Sequence, residues 1–66
     1  MKVQDFINIS TFEEYIVVND KGCSASDIID KSDTLIEYGL FELVEVSNTI
    51  KLHNSKLDVI CVLKIK

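Results

Sequence analysis

The chain has 66 residues, 31 of them apolar and 18 charged, with a formal net charge of −4; that is one small domain, which buries only about 60% of the surface its unfolded form exposes. Two cysteines and one histidine are too few for a disulfide framework or, within one chain, a four-ligand zinc site, and neither an apolar signal core nor a spanning run follows Met1. A large enzyme core, a transmembrane protein and a secreted disulfide knot are not expected; a cytoplasmic domain without membrane contact is.

Val3, Phe6 and Ile7 fall at helical spacing and predict a short amphipathic helix over 2–9, although Val3, Ile7 and Ile9 also fit one strand face. Ser10 and Thr11 interrupt it. Tyr15-Ile16-Val17-Val18 reads as a strand, stopped by Asn19-Asp20-Lys21-Gly22, whose residue types suit a tight turn. Ser24-Ala25-Ser26-Asp27 then carries the Ser-x-x-Asp spacing of a helix start. One kinked helix or two short ones are predicted over 25–38, with Ile28 and Ile29 inward. Ser32 or Asp33 would cap the second turn, Leu35, Ile36 and Tyr38 form its apolar side, and Gly39 is a left-handed stop.

Alternation of period two begins at Leu40, with Glu42, Val44 and Val46 on one face and Phe41, Leu43, Glu45 and Ser47 on the other. Ser47-Asn48-Thr49 reads as a turn, Ile50-Lys51-Leu52-His53 as a second strand and Asn54-Ser55-Lys56 as a second turn. The last strand sets Leu57, Val59, Cys61, Leu63 and Ile65 against Asp58, Ile60, Val62, Lys64 and Lys66. Nine Ile, seven Val and six Leu against one Ala and no Pro agree with a strand-rich chain. The expected fold is therefore α+β, a single domain over 1–66. A short N-terminal helix, a strand or short hairpin and a short helical segment lead into a C-terminal three-stranded antiparallel meander.

The unbroken face of that meander (Val44, Val46, Ile50, Leu52, Val59, Cys61, Leu63 and Ile65) is expected to point inward. The opposite face, expected to meet water, nevertheless offers Phe41, Leu43, Ile60 and Val62. Exposed apolar clusters of this kind mark partner or self-association surfaces; the competing reading is that the N-terminal helix or the first strand folds over them. Charge is uneven too. Residues 1–50 hold ten acids and three lysines, whereas 51–66 hold four lysines and one acid.

Residues with reactive chemistry are sparse. Cys23 precedes a predicted helix start and His53 is a conceivable base, but no third group orients the pair. Cys61 reads as packing. Taking Gly22 as a calcium-loop glycine would place Val17, which lacks a side-chain oxygen, at the first ligand position. Asp27, Asp30 and Asp33 recur every third residue and read as a solvated face. No catalytic residue, metal site or cofactor is assigned. Lys51, Lys56, Lys64 and Lys66 form a small basic stripe, but the acidic body and the absence of arginine disfavour nucleic acid.

Met1-Lys2-Val3-Gln4-Asp5-Phe6, Tyr15-Ile16-Val17-Val18, Ser26-Asp27-Ile28-Ile29, the run Tyr38 to Val46 and the final Val-rich strand together resemble short accessory proteins of phages and mobile elements in low-GC Gram-positive bacteria. The resemblance covers nearly the whole chain at the level of pattern, without a diagnostic motif. It implies a non-enzymatic inhibitor of a host or defence protein, anti-CRISPR proteins included, acting in the host cytoplasm by surface occlusion. On that expectation Phe41, Leu43, Ile60 and Val62 anchor the partner's basic or apolar surface, and Glu13, Glu14, Glu42 and Glu45 complement its charge. The alternatives are a homodimeric nucleic-acid-binding accessory protein using the C-terminal lysines and an oligomer that sequesters a nucleotide signal.

Overall fold

The computed structural model describes residues 1–53 and 55–66, His53 by its backbone alone; Asn54 of the expected second turn and the side chain of His53 lie outside the described residues. In chain order the elements are α1 (Val3–Ile9), β1 (Glu14–Val18), β2 (Ile29–Asp30), α2 (Lys31–Tyr38), β3 (Leu43–His53) and β4 (Lys56–Ile65). Two helices lie with one four-stranded sheet of order β2-β1-β4-β3, the α+β class expected.

The helix and strand expected over 2–18 form as predicted. Val3 and Ile7, one turn apart, are the buried side of α1. Two of its first-turn donors are met by the chain leaving α2: Val3 N–H donates to the Phe41 carbonyl at 3.0 Å and Gln4 N–H to the Gly39 carbonyl at 2.9 Å. Tyr15, Ile16 and Val17 are all buried, so β1 is covered on both faces. In the turn that follows, the Asn19 side-chain oxygen accepts from the N–H of Lys21 and Cys23 at 2.9 and 3.0 Å. Gly22 takes φ +84° there, a value that favours glycine.

The helix start expected at Ser24 is not formed. Ser26 Oγ accepts instead from Val17 N–H at 2.9 Å, and Ala25 and Ser26 N–H both reach the Val17 carbonyl, at 2.7 and 3.1 Å. Ile29 and Asp30 then pair antiparallel with Tyr15 and Glu14. The physical reason is the outer edge of β1: its backbone groups need partners, and the returning chain supplies them before any helix begins. Asp30, rather than Ser32 or Asp33, caps α2, accepting from Asp33 N–H at 2.8 Å. Gly39 ends the helix with right-handed angles, φ −54° and ψ −33°, not as a left-handed stop. Its missing side chain serves close approach: a Cβ there would run into the Leu35 carbonyl oxygen and sit 3.6 Å from Gln4 Cβ.

The meander is also corrected. Ser47, Asn48 and Thr49 make no turn; they pair with Val62, Cys61 and Ile60 in the middle of one 11-residue strand. The period-two alternation runs through them unbroken, and β4 is long enough to satisfy their backbone groups. The C-terminal third is thus a two-stranded hairpin, with Ser55 at φ +66° beside its turn. The third strand is β1, which pairs parallel with β4 from Tyr15–Cys61 to Val18–Lys64. Between Leu43, opposite Ile65, and Glu45, opposite Lys64, a bulge inserts one extra residue.

The core lies between the helices and one sheet face: Val3, Ile7, Tyr15, Val17, Cys61, Leu63 and Ile65, flanked by Phe6, Phe12, Ile29, Leu35, Tyr38 and Leu43. Replacing Asp30 by Ala leaves the β2 backbone pairs intact but removes the α2 cap. The expected loss is about 1 kcal/mol in urea unfolding.

Candidate interaction surface

The expected anchors do not form one exposed patch. Ile60 is completely buried, and Val62 beside it is half-buried. Ile60 and Val62 share the face of the sheet that carries Ile16, which pairs with Val62. Ile16, Ser24, Ser26, Asp27, Ile28 and Lys51 line a cleft of about 390 Å³ on this side. The segment after the Asn19 turn therefore lies over this face and, with Lys51, reaches across it. It takes the covering role that the competing reading gave to the N-terminal helix or the first strand. Leu43 is also corrected. The bulge after it reverses the strand's parity, so Leu43 packs against the helix-side core, away from Ile60. Phe41 remains 43% exposed, its ring 5.7 Å from that of Tyr38.

Of the expected charge complement, Glu13, Glu42 and Glu45 are exposed and Glu14 is half-buried. Glu42 lies 3.8 Å from the Met1 amino group, and Glu45 stands opposite Lys64 in the sheet. These acids are spread over the α1–β1 connection, β1, the α2–β3 connection and β3, and no single face gathers all four. The lysine stripe is interrupted in the same way, because Lys51 pairs across the strands with Asp58 and Lys64 with Glu45. It is not an uncompensated basic track.

The face expected to point inward is the one left open. Its near half, at Cys61, Leu63 and Ile65, is buried, but Val46, Ile50, Leu52, Leu57 and Val59 are 39, 66, 71, 72 and 54% exposed. Cross-strand pairing gathers four of them into two successive rungs of this face, Ile50–Val59 and Leu52–Leu57, and Val46 beside Leu63 joins them to the core. The cause is a mismatch of lengths. Seven- and eight-residue helices span about 10 and 12 Å, whereas an 11-residue strand runs about 36 Å. Alternation identifies these residues as one face but is silent on helix reach; comparing element lengths is the signal that finds the uncovered half.

Reactive groups are not assembled anywhere among the described residues. Cys23 is exposed and Cys61 buried, both as free thiols. Burial pushes the Cys61 thiol from 9.0 to about 11, which keeps it protonated and inert. Burial is also the main cause raising the Tyr15 hydroxyl, which lies 2.9 Å from both Ser10 Oγ and the Phe12 carbonyl. No group of three or more acidic, Cys or His side chains among the described residues is placed to hold a metal. No described helix is long and apolar enough to cross a membrane. Comparison with protein-family models, with curated proteins and with solved structures finds no match in any of the three.

Two outcomes follow. Ile60→Ala is expected to cost about 2–5 kcal/mol in denaturant unfolding, against about 0.5 kcal/mol or less for Leu57→Ala, since only the first empties a filled site. Between pH 9 and 11 the unfolded chain releases the Cys61 proton while the folded chain keeps it, so stability falls as pH rises. The slope is at most about 1.4 kcal/mol per pH unit, and Cys61→Ala removes that contribution to the pH profile.

Proposed function

We propose that the chain is a non-enzymatic protein–protein interaction module, an inhibitor-type protein that occludes a surface on a host or defence complex. Its binding face is the uncovered half of the β3–β4 hairpin. The observation that carries this reading is the apolar strip of Val46, Ile50, Leu52, Leu57 and Val59, continuous with the core yet open to water. Small soluble domains rarely leave such a strip without a use for it. Fully burying one of these side chains is worth about 1.5–3 kcal/mol, and ordering costs subtract from the sum. A few central aliphatic anchors are therefore enough for a specific complex.

The partner this surface suits is a protein with an apolar pocket, since the charges around the strip are mixed, with Lys51 and Lys56 beside Asp58. The acidic body, at −7 over residues 1–50 against +3 over 51–66, speeds the approach of a basic surface. The pattern-level resemblance to phage accessory proteins points to the same class of activity. Relative to the anchors expected from alternation alone, the proposal moves the contact from Ile60 and Val62 to the other side of the same hairpin.

The test is capture from the lysate of a low-GC Gram-positive bacterium, comparing the tagged chain with a Leu52→Lys/Leu57→Glu variant, whose opposite charges face each other across the rung. Both substituted positions are exposed, so the variant should keep its unfolding midpoint. The expected result is one protein retained stoichiometrically by the unaltered chain through moderate salt and lost by the variant. Equal capture by both chains, or recovery of nothing beyond the chain itself, would sink the reading.

A further inference from the structure

β3 is an edge strand of 11 residues. Among the described residues only its entry is covered: Lys2 forms a bridge with Glu42, and Leu43 N–H donates to the Met1 carbonyl at 2.9 Å. From Val44 onward no other strand lies beside its outer row of backbone donors and acceptors among the described residues. An edge of this length templates pairing unless prolines, charged side chains, bulges or a covering segment block it, and the bulge in β3 lies at its covered entry, between Leu43 and Glu45. β3 contains no proline, and its charged residues, Glu45 and Lys51, lie on the sheet face away from the helices, opposite Lys64 and Asp58.

Those two charges are arranged self-complementarily. Laid antiparallel on itself about Asn48, β3 sets Glu45 of each copy opposite Lys51 of the other. The same register places Val46 opposite Ile50 on the helix side, Ser47 opposite Thr49 on the far side and Asn48 opposite Asn48. Every rung from 45 to 51 then joins like with like or charge with countercharge, on matching faces. Centring the pair on Ser47 sets Glu45 against Thr49 and Leu43 against Lys51; centring it on Thr49 sets Lys51 against Ser47. Both lose the reciprocal ion pairs. A slip of a single residue turns the second copy's faces over.

We infer that two copies associate through β3, antiparallel about Asn48, into a continuous eight-stranded sheet of order β2-β1-β4-β3-β3-β4-β1-β2. The two-fold axis stands perpendicular to the sheet, so the helices of both copies lie on one face. The open strip of each copy comes to rest beside the helix-covered end of the other. Association uses the outer edge of β3 and of the proposed target-binding strip takes only Val46 and Ile50. Leu52 and Leu57 stay outside the pairs that define the register.

The test is a charge-reversal pair followed by sedimentation. Glu45→Lys sets lysine against Lys51 twice across the axis, and Lys51→Glu sets glutamate against Glu45 twice. Each variant alone should dimerise about tenfold more weakly. A mixture of the two restores both countercharge pairs and should recover the heterodimer to the affinity of the unaltered chain. Each fold carries the same internal change alone and mixed, so recovery on mixing reports the interface and not folding. An independent measurement is Asn48→Cys in a Cys23→Ser/Cys61→Ala background, since Cys61 stands opposite Asn48 in the same chain. The paired Cα atoms would stand about 4.5–5.5 Å apart, within disulfide reach, and mild oxidation should yield covalent dimer, while Ser55→Cys at the hairpin end yields none. A chain monomeric at every concentration, or a dimer indifferent to both reversals and refractory to the Asn48→Cys cross-link, would overturn the inference. Neither result touches the target-binding reading, which is tested by the Leu52/Leu57 variant.

Discussion

Four consecutive rungs, Tyr15–Cys61 through Val18–Lys64, pair β1 parallel to β4, and the rest of the molecule is arranged around them. They bring Tyr15 and Val17 beside Cys61 and Leu63, the strand half of the core. They also make β4 a central strand and leave β3 at the edge. Each rung joins residues 46 positions apart. Parallel pairing of this kind needs a long crossover, and here the Asn19 turn, β2, α2 and β3 all lie within it. Because loop-closure entropy is lost before such distant contacts form, the hairpin and the N-terminal helix–strand unit hold little core of their own until they meet.

That dependence explains which parts of the fold were legible in the sequence. α1, β1, the turn at Asn19 and the last strand each follow from local periodicity or turn chemistry, and each forms where those signals place it. The misread elements are those whose form is set by a distant partner. Ser24-Ala25-Ser26-Asp27 has acceptable helix-start chemistry, but the open edge of β1 takes the Ser26 hydroxyl and the backbone around it. Ser47-Asn48-Thr49 has turn-forming residues, but β4 supplies a rung for each of them. Gly39 is read correctly as a position that needs glycine, yet its cause is the nearness of Leu35 and Gln4 and not a left-handed angle. Local propensity is a weak prior that tertiary pairing overrides.

The surface was legible in the same partial way. Alternation sorted the residues of β4 and of β3 beyond the bulge onto their true faces, yet which face is open depends on how far two short helices reach and where the segment after Gly22 crosses. Ile60 changes from anchor to core because that segment reaches its face. Val46, Ile50, Leu52 and Val59 change from core to surface because no helix reaches them. Element lengths reveal how far the helices reach, but the path of the segment after Gly22 is set by the three-dimensional arrangement.

The bulge between Leu43 and Glu45 gives β3 two reading frames. Before it, an odd-numbered residue (Leu43) belongs to the helix side; after it, the odd positions Glu45, Ser47, Thr49 and Lys51 belong to the far side. The two ends of the strand are thereby free to diverge independently: the first frame answers to the core and to Met1, the second to whatever meets the hairpin. A one-residue deletion at Val44 would merge the frames. Either Leu43 would then leave the core or the hairpin would turn over and exchange its aliphatic strip for Glu45, Ser47, Thr49 and Lys51. A change in length at this single point, with no other substitution, would therefore rewrite the chemistry of the exposed hairpin.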